Sequence, residues 1–382
     1  MFVNLYKMVS YIGFRKVYLF KMIITSLDLA NFRTYNKLNI VFDPGINILY
    51  GDNAQGKTNI LEAIYLSTTT KSHKNSKDKD MISFLSEEAH IRTTILKNNI
   101  DYKIDMHLHK GKSKGIAING IKIKKAADLL ALTNVVVFSP EDLNIIKDGP
   151  SVRRRFIDME LCQLDQSYLY YLNQYQKVLD NRNKLLRDIA FNKSLMDTLD
   201  IWDEQLLNFG SKIIKSRSIF IKNLQDIICE VHNKLTNGLE DLKILYEPDI
   251  LIENYKEQLL KRRERDIKQC ITSVGPHKDD LLFSVSGVDI RKFGSQGQQR
   301  TSALSLKLAE IEIVKNIIKD TPILLLDDVL SELDSNRQRY LLDNIKNIQT
   351  IITCTGLDEF INNRFEINKI FKVKKGNVIS EN

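Results

Sequence analysis

From Met22 onward the chain sets apolar against polar positions in short runs that predict strands: Ile23 to Leu29, Leu38 to Phe42 and, after a Pro44-Gly45 turn, Ile46 to Tyr50. A helix is expected from Thr58 to about Leu66. Ile91 to Leu96, Tyr102 to Leu108 and Gly115 to Ile123 then predict a meander, with Asn119-Gly120 as a type I′ hairpin pair. Val135 to Phe138 is apolar throughout, as in a buried strand. Between Val152 and Leu235 the period lengthens, with one glycine (Gly210) and no proline. Leu161, Leu164, Tyr168, Leu172, Tyr175 and Leu179 form one helical stripe. Leu206, Phe209, Ile213, Phe220, Leu224, Ile227 and Val231 contribute to a second. Long helices packed on each other would hide both. A charged helix near Glu257 to Lys268 follows. Strand-like sequence returns at Leu281 to Val288, then a Gly/Gln loop, a helix to about Ile318 and the apolar strand Ile323 to Leu326.

Composition adds limits. At 382 residues and 43% apolar, the chain has room for one large or two ordinary domains. A net charge of +8 makes a polyanionic partner plausible without identifying it. Residues 1–21 carry Lys7, Arg15, Lys16 and Lys21 among many aromatics. They lack the unbroken apolar core and cleavage site of a signal peptide, and the charges interrupt any membrane span. With Met22 as a second possible start, this stretch reads as an upstream start or a dispensable extension. Cys162, Cys229, Cys270 and Cys354 are scattered, which argues against a zinc or disulfide framework and for a reducing cytoplasm. His107 and His109 alternate on a predicted strand. With no third ligand nearby in sequence, they read as solvated histidines.

The chemistry lies in three elements. Gly51-Asp52-Asn53-Ala54-Gln55-Gly56-Lys57-Thr58 fits G-x-x-x-x-G-K-[ST] between a predicted strand and a predicted helix. Glycines let backbone N–H groups turn inward around phosphates, Lys57 supplies a point charge, and the Thr58 hydroxyl suits Mg²⁺. Ile323-Leu324-Leu325-Leu326-Asp327-Asp328 is an apolar strand ending in two carboxylates, where ligands of parallel sheets bind. Asp327 is expected to hold Mg²⁺ and Asp328 to orient the attacking water. In the polar turn before the next helix, Ser295, Gln296 and Gly297 present a hydroxyl and backbone N–H groups; a plain N-cap is the structural alternative. Ser295 precedes Asp327 by 32 residues, room for one helix and a turn. Loop, helix and carboxylate strand in that order match an ABC-type ATPase head. Lys57 and Ser295 are 238 residues apart, too far for a compact transporter ATPase and too close for long coiled-coil arms.

Further motifs follow in order: Leu27 to Tyr35, Asn59 to Tyr65, Lys71-Ser72-His73-Lys74, Phe138 to Leu143, Arg153 to Asp158, Gly275 to Leu281 and Asp327 to Asp334. On these the chain resembles the RecF family over nearly its whole length from Met22. The resemblance implies an α/β fold, a two-lobed ABC-type P-loop ATPase head with an inserted α-helical domain, divided as 22–155, 156–268 and 269–382. It implies ATP and Mg²⁺ as cofactors, weak DNA-stimulated ATPase activity, and an ATP-dependent homodimer in which each P-loop faces the other copy's signature turn. The implied partners are DNA, gapped or at single-strand/double-strand junctions, together with RecO and RecR; no membrane is involved. By the same resemblance Arg33 lies near the nucleotide, Glu141 near the γ-phosphate and metal, and Ser331 to Asp334 crosses between subunits. Two features depart from the pattern. Residues 1–21 have no place in it, and Thr350 to Thr353 runs into Cys354-Thr355 without the switch histidine of many ABC proteins, leaving the γ-phosphate sensor unassigned. The rival readings are a transporter ATPase subunit and a DNA scaffold that binds ATP without turnover. Basic candidates for DNA are Lys71, Lys74, Arg153, Arg154, Arg155 and the cluster from Lys261 to Arg265.

Overall fold

The computed structural model describes residues 22–130, 132–189, 191–357 and 366–381, so the expected extension 1–21 lies outside the described residues. Five strands run parallel in the order Lys369–Lys374, Ile46–Tyr50, Thr350–Cys354, Ile323–Asp327 and Val135–Phe138. Asn377–Glu381 closes one edge antiparallel. Every residue of Ile323–Asp327, Thr350–Cys354 and Val135–Phe138 is buried, which is why Ile323 to Leu326 and Val135 to Phe138 read as unbroken apolar runs. Parallel pairing also gathers their carboxyl ends on one edge. Register sets Asp327 against Thr353 and Cys354 against Tyr50, just before the P-loop.

The second sheet is antiparallel, in the order Tyr35–Val41, Met22–Phe32, Glu88–Lys97, Ile100–His109, Lys112–Ile118 and Ile121–Lys122. The expected meander is present. Asn119 and Gly120 both take positive φ (50° and 80°), as a type I′ turn requires. The helix Lys57–Thr69 is buried on almost every side. Ile60, Leu61 and Ile64 share one apolar cluster with Leu27 and Ile91 of this sheet and Leu325 of the parallel one.

The expected helices appear as Pro150–Leu164, Gln166–Ile189 and Leu199–Thr236. The first stripe is interrupted at Asp165, whose N–H closes one helix on the Leu161 carbonyl while its carboxylate accepts from the Ser167 N–H at 2.8 Å. Leu161, Tyr168 and Tyr175 share a buried cluster with Leu206, Ile213 and Phe220. That cluster continues through the helix Gln296–Ile318 to Ile48, Leu324 and Ile352 of the parallel sheet, so helices and head share one core.

Three local expectations need correction. The segment Leu281 to Val288 is a hairpin, Asp280–Val285 and Val288–Asp289, because Ser286 and Gly287 turn at positive φ (49° and 84°). Its neighbour Leu242–Glu247 is a strand the pattern did not predict. The charged helix is two, Ile252–Lys261 and Arg263–Gln269, meeting at Arg262. The Gly275 to Leu281 motif binds these parts together. Arg217 donates to Asp279 at 2.7 Å and Asp158 at 2.8 Å, and Arg153 donates to both oxygens of Asp280 at 2.6 and 3.0 Å. Removing one partner of such a buried pair typically costs about 3–5 kcal/mol. Arg153, only 1% exposed, therefore belongs to this joint and is not available to DNA. Among the described residues no helix is long and apolar enough to cross a membrane.

Candidate nucleotide site

Three turns of backbone into the left-handed region shape the loop after Ile46–Tyr50: Gly51 (φ 151°), Ala54 (61°) and Gly56 (109°). A Cβ on Gly51 would fall 2.3 Å from the Val373 carbonyl oxygen, and one on Gly56 would fall 2.8 Å from the Tyr35 hydroxyl. Both positions therefore need glycine for φ and for space. Gly56 caps the helix Lys57–Thr69 without a side-chain hydrogen bond. Of the first N–H groups of that helix, that of Asn59 returns to the Gly56 carbonyl at 3.0 Å and those of Lys57 and Thr58 stay open, a ready anion site. The cavity here is about 150 Å³, lined by Asn53 to Asn59 with Asp328 and Thr353. That is below the ~300–1,000 Å³ of pockets that enclose a whole small ligand.

The polar groups converge. The Lys57 ammonium is folded back onto the Gly51 and Asp52 carbonyls, at 2.5 and 2.8 Å. The Thr58 hydroxyl donates to Asp327 Oδ1 at 2.7 Å, and the Thr353 hydroxyl donates to the same oxygen at 2.8 Å. Lys74 Nζ lies 3.9 Å from the other oxygen of Asp327. Thr353 Oγ1 also accepts the Asp328 N–H at 2.9 Å. Asp328 itself takes φ 54°, a left-handed conformation open to Asp at modest cost. Burial raises its pKa, and the nearby Lys57 charge opposes that rise. An open helix end with a lysine fits a polyphosphate. A hydroxyl beside a carboxylate is an all-oxygen pair, which suits Mg²⁺.

Residues 51–58, Asp327 and Asp328 thus come together. The remaining candidates do not join them within the chain. Arg33 grips Glu62 with two hydrogen bonds at 2.9 and 3.0 Å, and also donates to Ser76 Oγ and the Asp80 carbonyl. Burial pushes the Glu62 carboxyl up, but hydrogen bonds from Arg33 and Ser72 outweigh it and hold it below the usual range. Glu141 is exposed and lines a separate polar cavity of about 410 Å³ with Arg155, His73 and Lys307. Ser295, Gln296 and Gly297 are exposed at the start of Gln296–Ile318, where Ser295 and Gln298 cap each other and Gln298 donates to Glu240 at 3.1 Å. Thr353 and Glu62 were not anticipated. The signal for Thr353 was the strand Thr350–Cys354 itself, had its register against Asp327 been known.

Residues 23–379 match the family model of the RecF/RecN/SMC N terminal domain. The chain is 59% identical over 363 residues to the DNA replication and repair protein RecF of Lachnospira eligens, covering 94% of this chain and 100% of that protein. It is 62% identical over 357 residues to the protein of the same name from Agathobacter rectalis, covering 94% and 99%. Among solved structures it is similar to the recombination mediator protein RecF with ATP in the RecFOR pathway, with TM-score 0.90, 35% identity, and 97% and 100% of the two chains covered. A Smc head domain derived from Pyrococcus furiosus shares the fold at TM-score 0.56 and 17% identity, over 94% and 96% of the chains.

Proposed function

This chain belongs to the RecF/RecN/SMC family and, within it, to the RecF proteins of DNA replication and repair, and from that premise we propose an ATP-dependent DNA-binding protein that dimerises through its heads, hydrolyses ATP slowly and helps load recombinase at gapped DNA with RecO and RecR. The observation that carries this reading is the 2.7 Å contact between the Thr58 hydroxyl and Asp327, which joins the P-loop to the carboxylate strand across 269 residues of sequence.

ATP, when bound, supplies the γ-phosphoryl group that passes to water. Asp52, Asn53, Ala54, Gln55 and Gly56 offer backbone N–H groups to the phosphates, while Gly51, whose own N–H goes to the Cys354 carbonyl at 3.3 Å, supplies the turn. Lys57 exchanges its loop carbonyls for phosphate oxygens, a stronger charge-assisted pairing. Thr58 and Asp327 are the residues that would hold Mg²⁺, and Asp328 positions the attacking water. Thr353, bonded to both aspartates, stands at the end of the strand that leads into the place of the missing switch histidine. Ser295, Gln296 and Gly297 complete the site on a second copy. Arg33 and Glu141 enter on the family's pattern; Arg33 reaches the nucleotide side by exchanging Glu62 for it. The division into 22–155, 156–268 and 269–382 belongs to the same reading.

The test is phosphate release and sedimentation, each with and without ATP and gapped DNA. Slow release stimulated by DNA, with ATP-induced dimers, is expected. Dimers on DNA without phosphate release would favour the scaffold reading. ATPase activity with no DNA binding at any salt concentration would sink the repair reading, because phosphate contacts make such binding strongly salt-dependent.

A further inference from the structure

The antiparallel sheet holds a second cluster of metal-ligating groups, apart from the P-loop chemistry. Register pairs His90 with His107 and Glu88 with His109 across the strands Glu88–Lys97 and Ile100–His109. Alternate residues of a strand share a face, so these side chains stand together. The His90 and His107 rings are stacked, 4.1 Å between centroids and 11° between planes. Their Nε2 atoms converge on one carboxylate: His107 Nε2 lies 3.0 Å from Glu88 Oε2 and His90 Nε2 lies 3.9 Å from Glu88 Oε1. One ligand atom from each of the three residues lies within 4.8 Å of the others. His109 is turned aside, its Nδ1 accepting the Gly111 N–H at 3.0 Å.

We propose that Glu88, His90 and His107 form a binding site for a divalent transition metal of the zinc type. Two imidazoles and a carboxylate are a donor set found in zinc sites that keep an open position. Imidazole nitrogen favours Zn²⁺, Co²⁺, Ni²⁺ and Cu²⁺ over Mg²⁺ and Ca²⁺, which separates this site from the all-oxygen pair at the P-loop. Donors about 2.0–2.1 Å from a tetrahedral ion sit roughly 3.3 Å apart, a spacing that the two Glu88 contacts bracket. Only the stacked rings need to part, and all three side chains are about half exposed and free to turn. Arg92, two residues from His90 on the same strand, is paired with Asp105 at 2.6 Å, while Lys37 and Lys122 line the same groove. The sequence hid this site because His107 has no second ligand partner on its own strand that faces the cluster. The other two ligands come from the strand alongside.

The experiment uses the full-length, tag-free protein, stripped with a chelator and free of nucleotide. Zn²⁺ is titrated by calorimetry and Co²⁺ by visible absorption. One equivalent of each is expected, with weak d–d bands and no thiolate charge-transfer band. His90→Ala and His107→Ala should each weaken binding by at least about tenfold, and the double variant should abolish it while ATP binding stays within about twofold. Binding unchanged in the double variant, a thiolate band that assigns the ion to the cysteines, or no binding by the parent would each overturn the proposal.

Discussion

The P-loop and the signature turn are both helix starts with glycine at hand, yet they are finished in opposite ways. At the P-loop, Gly56 leaves the helix end uncapped and Lys57 rests on neutral carbonyls of its own loop, partners an anion readily replaces. At the signature turn, Ser295 and Gln298 satisfy each other, and Gln298 is tied through Glu240 to the buried His232. One is an unsatisfied receptor within the chain, and the other is a rigid, exposed, self-satisfied surface. Under the proposed function that is the division a composite site needs: the nucleotide is held by the first and read by the second from another copy.

Substitution at the carboxylate end of the P-loop side should separate the two regions most strongly. Asp328→Asn keeps the size and one acceptor oxygen but cannot take a proton. It should bind ATP and dimerise, yet hydrolyse about 10²–10⁴-fold more slowly in single-turnover assays. Turnover at the parental rate would move the water-positioning role elsewhere, Glu332 being the next carboxylate in sequence. Lys57→Ala should weaken ATP binding by about 10²-fold, since hydrogen bonds to charged groups contribute about 1.5–3 kcal/mol. Affinity within a few-fold of the parent would mean the ammonium stays on its loop carbonyls when nucleotide binds.

Ser295→Arg probes the other region. It removes one N-cap, at about 1 kcal/mol, and places a bulky cation on an exposed turn. Own-site ATP affinity should change less than about threefold, while ATP-induced dimers should weaken at least tenfold in sedimentation. Normal dimers would reject the assignment of this turn to a second copy.

What the sequence disclosed follows from locality. The P-loop, the carboxylate strand and the signature turn are contiguous motifs, and each stood where its residues predicted. Contacts made by register were not legible. Thr353 meets Asp327 only because two strands pair in parallel, and Glu62 meets Arg33 only because the helix Lys57–Thr69 packs beside the turn after Met22–Phe32. The strand Leu242–Glu247 escaped notice because it buries only Leu242 and Ile244, while Lys243 and Leu245 face outward. Arg153 looked like a DNA contact because its charge is visible in sequence and Asp280, 127 residues away, is not recognisable as its partner.

Acid offers the mildest separation of the two regions, through the histidine behind each. His73, which lines the neighbouring polar cavity with Glu141 and feels the charge of Asp327, has no hydrogen-bond partner at either ring nitrogen, and burial pushes its pKa down to about 4 despite the opposing charges of Asp327 and Glu62. His232, behind the signature turn, is also lowered by burial, but its Nε2 lies 3.3 Å from Glu240, which favours the charged ring. Both folded-state values lie below the unfolded value near 6.5. The unfolded chain therefore binds the extra protons first as pH falls. The stability each neutral ring contributes is fully present above about pH 6.5 and is lost as pH drops toward the folded pKa. For His73 the loss should spread from about pH 6.5 to about 4 and amount to roughly 1–3 kcal/mol. His73→Asn, which cannot titrate there, should flatten the fall of melting temperature between pH 7 and 4. His232→Asn should flatten it less, because Glu240 already offsets part of that ring's protonation cost. An acid slope equal to the parent's in His73→Asn would mean that this ring is solvated in solution, and that the P-loop side is looser than its contacts indicate.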